Sequence, residues 1–243
     1  MDQIKKLKDL INKANDIVVM TGAGISVPSG IPDFRSSNGL YNNKDNDMTD
    51  ISPETILSYS FFKEYPDKFY TFYRNKMICL DALPNIAHKT LAELESMGKV
   101  KAIITQNIDG LHQLAGSKKV IELHGSIHRN YCTKCQKSYS LSKILQAKGI
   151  PTCDCGGIIK PDVVLYEEAL SSSVLDNSLI EIEKADLLIV VGTSLLVNPA
   201  ASLIHYFRGS NLVIISKGIT PYDNYAKLVI HKPLETILTP ELL

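Results

Sequence analysis

The sequence predicts an α/β protein: a parallel sheet with helices on both faces, accompanied by a smaller second lobe. Three observations predict it. Short apolar, β-branched runs without polar alternation recur along the chain, as strands buried on both faces require. Stretches with apolar residues at helical spacing lie between them. Two segments, 36–80 and 127–160, break this alternation and read as insertions that fold together.

In chain order, the first element is a helix with Ile4, Leu7, Leu10 and Ile11 on one side, followed by a strand at 17–20. Segment 36–80 opens with a polar run at 42–47 and continues as an aromatic-rich helical stretch. A helix through Ala87, Leu91 and Leu94 precedes strands at 100–104 and 120–123, and segment 127–160 carries four of the five cysteines. A strand at 162–166, a helix through Val174, Leu179 and Ile182, and a strand at 187–191 come next. A helix through Ala200, Leu203, Ile204 and Phe207 leads to strands at 212–215 and 228–230. The large domain is thus expected to comprise 1–35, 81–126 and 161–243, and the small one 36–80 (helical) and 127–160 (cysteine module). A sheet of this kind binds ligands beyond the carboxyl ends of its strands, where strand order reverses.

Composition narrows the partners. The 243 residues carry 26 Lys and Arg against 26 Asp and Glu, so no basic surplus points to direct nucleic-acid binding. No apolar run reaches the roughly 18 residues of a membrane helix. The start, Met1-Asp2-Gln3-Ile4-Lys5-Lys6, lacks the apolar stretch of a signal peptide. A cytoplasmic protein without membrane contact is expected, with a monomer favoured.

Six stretches carry chemistry. Thr21-Gly22-Ala23-Gly24-Ile25-Ser26 follows the first strand, and its glycines allow backbone amides to approach a phosphate. Val27 stands where a hydride-transfer dinucleotide fold has a third glycine, so an ordinary tight turn and a nucleotide site both remain open. Gly30-Ile31-Pro32-Asp33-Phe34-Arg35-Ser36 sets an aromatic ring between two charges, or is simply a rigid loop with a surface ion pair. Gln106, Asn107 and Asp109 lie just past the strand at 100–104, where α/β enzymes place polar ligand contacts; Asp109 equally suits a helix cap. His124 ends the strand at 120–123 beside Gly125, open on one side as a general base needs, whereas His88, His112, His128, His205 and His231 read as structural. Cys132-x-x-Cys135 and Cys153-x-Cys155 match a four-thiolate structural zinc site, with a dithiol redox pair as the alternative, and Cys79 reads as core. Gly192-Thr193-Ser194 after the strand at 187–191 is either a second phosphate or ribose contact or a plain loop.

Taken together and in this order, residues 22–26, 30–36, 105–112, 123–125, 132–155 and 192–195 resemble the sirtuins, NAD-dependent protein-lysine deacylases. The resemblance runs from about residue 16 to 217 and implies a Rossmann-like NAD-binding domain, a small zinc-bearing lobe, and a cleft between them where NAD meets an acylated-lysine protein substrate. It implies that Gly22, Ala23, Gly24 and Ser26 face the pyrophosphate, and that Phe34 and Arg35 shield the ribose and leaving group. Gln106 and Asn107 would hold the nicotinamide ribose, Ile108 and Asp109 the nicotinamide amide, and Gly192, Thr193 and Ser194 phosphate or the adenosine ribose. His124 would be the general base, near its ordinary pKa, with Asn107 beside it in catalysis, and one structural Zn2+ would sit on Cys132, Cys135, Cys153 and Cys155. The products would be free lysine, nicotinamide and an O-acyl-ADP-ribose. A protein ADP-ribosyltransferase using the same NAD site is the alternative.

Three departures from the family pattern stand out. Val164, Leu165 and Tyr166 fall where the family pairs with substrate backbone, but Glu167 replaces a usual glycine, and the Glu167-Glu168 pair is expected to favour basic flanking residues in the peptide. Ser216 replaces a common asparagine, with Lys217 beside it, as a ribose contact. Tyr70 and Tyr73 stand where sirtuins preferring succinyl-lysine have Tyr-x-x-Arg, and Arg74 comes one residue late. This is about 100° further round a helix. An aromatic-lined, uncharged channel for acetyl or longer neutral acyl groups is expected, against the simpler reading that both tyrosines pack the small lobe.

Overall fold

The computed structural model describes residues 3–34, 39–41 and 51–243. Arg35 and the polar run at 42–47 lie outside the described residues.

Six strands form a parallel sheet in the order β3-β2-β1-β7-β8-β9. They are β1 (Ile17–Thr21), β2 (Val100–Thr105), β3 (Val120–Glu122), β7 (Leu187–Val191), β8 (Asn211–Ile215) and β9 (Leu228–Ile230). β1 and β7 are buried along their whole length, as continuous apolar runs in a doubly covered sheet must be. Because strand side chains alternate between faces, each run feeds two cores. Ile17, Val19, Ile103, Leu187, Ile189, Val191, Val213 and Ile215 face α1 (Gln3–Lys13), α5 (Ile86–Ser96) and the C-terminal turns. Val18, Met20, Ile104, Leu188, Val190, Leu212 and Ile214 face α8 (Ser172–Lys184) and a 3-10 turn at Ala201–Tyr206, where the spacing had predicted a helix.

The order places β1 between β2, which comes later on one side, and β7, which begins the other half of the sheet. This is the switch point at which neighbouring crossovers leave in opposite directions and open a crevice.

The second lobe has its own core. An antiparallel sheet, β5-β4-β6, joins β4 (Gly125–Cys132), β5 (Ser138–Ser140) and β6 (Ile159–Val163). Short helices α2 (Pro53–Ile56), α3 (Tyr59–Glu64) and α4 (Pro66–Phe72), with a π turn at Tyr73–Met77, pack on it through Phe61, Phe62, Phe69 and Phe72. Two smaller helices complete the chain, α6 (Leu111–Leu114) and α7 (Leu141–Gln146). The strand expected at 162–166 in the parallel sheet is corrected here: it begins at Ile159 and pairs antiparallel with β4. Arg129 on β4 ties the two sheets, its guanidinium donating to Glu122 of β3 at 2.5 Å and to Asp162 of β6 at 2.8 Å.

Candidate active site

A cleft of about 890 Å³ opens between the lobes, over the carboxyl ends of β1, β2, β7 and β8. Its floor is two glycine loops in backbone contact. Gly22 N–H donates to Val191 O at 3.0 Å and Gly24 N–H to Gly192 O at 2.8 Å. A Cβ on Gly24 would lie 2.7 Å from Gly192 Cα, and one on Gly192, whose φ is +62°, would lie 2.6 Å from Ile25 N. Only glycine lets these loops approach so closely. Ala23, Gly24, Ser26, Gly192, Thr193 and Ser194 line the cleft, whereas Gly22 lies just beneath it against Thr193.

The β2 loop is fixed by side chains. Gln106 Nε2 donates to Thr193 Oγ1 at 3.1 Å, joining the loops after β2 and β7. Asn107 Nδ2 donates to Ser26 Oγ at 3.0 Å, and Ser26 Oγ donates in turn to Asp109 at 2.7 Å. The other oxygen of Asp109 accepts from Leu111 N–H at 2.9 Å, so this carboxylate holds the first amide of α6 and faces the cleft at once. Burial pushes the Asp109 carboxyl up, opposed by those two hydrogen bonds.

A buried relay lies beneath, one that the sequence reading missed. Thr21 Oγ1 donates to Thr105 Oγ1 at 2.9 Å, and Thr105 Oγ1 also accepts from Asn107 N–H at 3.0 Å. A hydroxyl has one proton, so at the 2.9 Å contact between His112 Nε2 and Thr21 Oγ1 the ring is the donor. Position alone hinted at it: Thr105 and His112 bound the Gln-Asn-Ile-Asp stretch on either side.

His124 leaves β3 at the cleft's edge. Its Nδ1 lies 2.9 Å from Gln106 O, a pure acceptor, so Nδ1 carries the proton and Nε2 the lone pair. Burial lowers the imidazole pKa, with the Gln106 bond opposing, which revises the expectation of an unperturbed value.

Other predicted residues fall variously. Phe34 and Ile108 line the cleft and pack against the small-lobe core, and Ser216 and Lys217 line it past the end of β8. Cys79, expected in the core, is part of the cleft wall. Tyr70 does not line the cleft: it is fully buried, its hydroxyl donating to Ile159 O. Tyr73 borders the cleft but is fully buried too, stacked on Phe69 with centroids 5.5 Å apart. Both pack the small lobe instead of presenting free faces. Arg74 is turned away, donating to Ile144 O at 2.9 Å and Gly149 O at 2.5 Å.

Outside the cleft, the Sγ atoms of Cys132, Cys135, Cys153 and Cys155 all lie within 4.8 Å of one another, at 3.4 Å for 132–155 and 3.6 Å for 135–153. Tetrahedral zinc with Zn–S near 2.3 Å needs sulfurs about 3.8 Å apart. The cage fits that ion. Lys134 N–H and Cys135 N–H point at Cys132 Sγ, and Tyr139 Oη donates to Cys153 Sγ at 3.0 Å. Hydrogen bonds from the Cys155 backbone and Tyr139 bring the Cys153 thiol down to about 6. Such donors stabilise thiolates, and four sulfurs gathered in one cage suit a metal ion better than a dithiol redox pair.

A profile described as the Sir2 family matches residues 22–199. The chain belongs to the Sir2 family. It is 56% identical over 244 residues to an NAD-dependent protein deacetylase of Clostridium acetobutylicum, covering 98% of this chain and 99% of that one. Among solved structures it resembles Sir2 with a p53 peptide and NAD+, with a TM-score of 0.85, 41% identity and coverage of 98% and 96%. It also resembles a Sir2 histidine-to-alanine variant with a deacetylated p53 peptide and 3'-O-acetyl-ADP-ribose, at a TM-score of 0.87, 40% identity and coverage of 97% and 95%.

The segment after β6 contains a left-handed residue. Glu167 has φ +75°, the conformation glycine takes most easily. Its carboxylate accepts from Ser60 N–H and Ser60 Oγ, both at 2.9 Å, while Glu168 accepts from the buried Lys160 Nζ at 2.9 Å and from Leu165 N–H at 2.8 Å. Both acids are engaged within the protein, Glu168 by the Lys160 cation and Glu167 by the neutral donors of Ser60.

Proposed function

We propose that this chain is an NAD-dependent protein-lysine deacetylase, converting acetyl-lysine and NAD to lysine, nicotinamide and O-acetyl-ADP-ribose. The single observation that carries the reading is His124 Nε2, left as a lone pair by the Nδ1 bond to Gln106 O and set in a cleft floored by the two glycine loops. Relatives bearing the deacetylase name, and Sir2 structures holding peptide with NAD+ or with acetyl-ADP-ribose, support it.

The cleft fits a dinucleotide on its own terms. Its volume lies toward the upper end of the roughly 300–1,000 Å³ of small-molecule sites, and its floor presents close-packed backbone at the switch point. Ala23, Gly24, Ser26, Thr193 and Ser194 would hold phosphates, with Gly22 allowing the approach; Ser216 and Lys217 would take the adenosine end. Gln106 and Asn107 would orient the nicotinamide ribose, Ile108 and Asp109 the amide, and Phe34 with Arg35 would shield the reacting carbon. Bound NAD supplies an electrophilic anomeric carbon and, once nicotinamide leaves, ribose hydroxyls that can receive the acyl group.

The protein's part is positioning and one proton. A ribose hydroxyl is a poor acid in water, so a base within hydrogen-bond reach must take its proton, and His124 Nε2 is that base. The Nδ1–H bond to Gln106 O steadies the imidazolium that forms. Val164, Leu165 and Tyr166 form the wall along which an extended peptide would lie. With Arg74 turned away, acetyl and other neutral acyl groups fit best. Four thiolates leave zinc no open position, so the ion is structural. No helix among the described residues is long and apolar enough to cross a membrane.

The test is an acetyl-lysine peptide with NAD, analysed by mass spectrometry. O-acetyl-ADP-ribose and nicotinamide in equal amounts are expected. ADP-ribosylated protein without deacetylation would instead favour the transferase alternative.

A further inference from the structure

Residues 163–168 border the cleft, and their shape is set from both sides. On one side Lys160 Nζ, 3% exposed with its residue, donates to Val163 O and Glu168, both at 2.9 Å. On the other, Tyr166 N–H donates to Leu57 O and Tyr59 N–H to Tyr166 O, both at 3.0 Å, joining the segment to α2 and α3 of the helical module. Glu167 sits at the turn between these two anchors. A non-glycine residue at φ +75° is strained and persists only where its surroundings over-determine it. Here they do, through the two-pronged grip of its carboxylate on the N–H and hydroxyl of Ser60.

Val164 N–H is used by His124 O at 3.0 Å and Leu165 O by Glu168 N–H at 3.1 Å. The carbonyl of Val164 and the N–H of Glu167 have no backbone partner among the described residues. These are the groups an added peptide strand would meet, and the left-handed turn at 167 decides where its N–H points.

We propose that Glu167 is a positioning residue for substrate: its carboxylate latches the peptide-binding wall to Ser60 of the helical module and so sets affinity for the acetyl-lysine peptide. This rests on the deacetylase reading of the same cleft. The latch does not touch the cofactor loops, so it acts on peptide and leaves NAD alone.

Steady-state kinetics with an acetyl-lysine peptide and NAD test it in wild type, Glu167→Gly, Glu167→Gln, Ser60→Ala and the Ser60→Ala/Glu167→Gly pair. Glycine relieves the strained φ but removes both bonds, so the peptide KM is expected to rise about three- to tenfold with the NAD KM within twofold. Glutamine keeps one acceptor oxygen and should recover most of the affinity. Ser60→Ala should have a smaller effect, absent in the glycine background. An unchanged peptide KM in Glu167→Gly, an equal rise in both KM values, or full additivity of the pair would overturn the latch. Anisotropy of a labelled acetyl-lysine peptide, read on the same variants, keeps the two ideas apart. Wild type that binds the peptide without turning it over would sink the deacetylase reading, and the latch would still stand or fall on the binding constants.

Discussion

At the scale of single residues, His124 is set apart from the other five histidines by what its ring nitrogens meet. The rings of His88 and His112 lie tilted against each other in the interior with centroids 4.9 Å apart, and among the described residues neither nitrogen of His88 has a partner. His124 has one nitrogen held and one offered to the cleft. Replacing it by alanine is expected to lower turnover by about 10²–10⁴-fold while NAD affinity, read by calorimetry, stays within a few-fold. Because burial lowers its pKa, the neutral, basic form persists as pH falls below the usual histidine range. The acidic limb of kcat/KM should therefore lie below about pH 6.5. A limb above that value would contradict the assignment. The buried pair makes a stability prediction of its own. Burial brings His88 down to about 4 and, with the neighbouring ring, His112 to about 3. Below pH 6.5 the unfolded chain binds protons that the folded one refuses. Their stabilising contribution is thus complete above that pH and is lost as pH falls through the folded values, at about 1.4 kcal/mol per unit of separation. Thermal midpoints measured from pH 7 to pH 4 should fall less in a His88→Leu variant than in wild type. Residue identity made His124 legible in the sequence, but its tautomer depends on a carbonyl 18 positions away that spacing does not reveal. Tyr70 and Tyr73 were illegible for a related reason: an aromatic at helical spacing looks the same whether it lines a channel or packs a core.

At the scale of elements, most of the parallel sheet could be read from runs such as Leu187–Val191, because continuous apolar strands occur where both faces are covered. The run at 162–166 misled because an apolar stretch carries no mark of which sheet it will join. β6 pairs with β4 through a register with an irregularity between Ser126 and Asn130, set by tertiary contacts and not by local propensity. The cysteine module was legible from spacing alone, since four sulfurs at those intervals have few other uses. Its energetics are local. Gly157 sits where a Cβ would lie 2.6 Å from Cys132 Sγ, and the aliphatic residues packed near the cysteines are Leu141, Ile144 and Ile159 with the partly buried Ile150 and Ile158. Removing zinc with a strong chelator is expected to release one ion per chain and lower the thermal midpoint, with activity lost as the small lobe loosens. Activity lost with an unchanged unfolding profile would place the metal in the chemistry instead.

At the scale of the whole molecule, the cleft draws on widely separated parts of the chain. Its lining includes residues from the loops after β1, β2, β7 and β8, from the helical module and from the wall after β6. Motifs weak in isolation became informative as an ordered set because the fold brings their ends to one edge of one sheet. The Arg129 contact to Glu122 was not legible, because an ion pair between lobes follows from their docking and leaves no periodic trace. A fragment comprising residues 1–126 would keep both glycines of the β1 loop and the whole Gln106–Asp109 stretch, yet it is expected to show no measurable NAD binding by calorimetry.

The reason lies in the seam where Gly24 N–H meets Gly192 O. Two peptide groups 168 positions apart form one surface, so nothing recognisable to a nucleotide exists until distant stretches of chain have found each other. Loop closure on that scale comes late in assembly. Ligand capture is therefore a report on completed folding: a nascent or damaged copy cannot sequester the dinucleotide, and any variant that loosens the seam will be rescued by excess ligand, which favours the finished state by mass action.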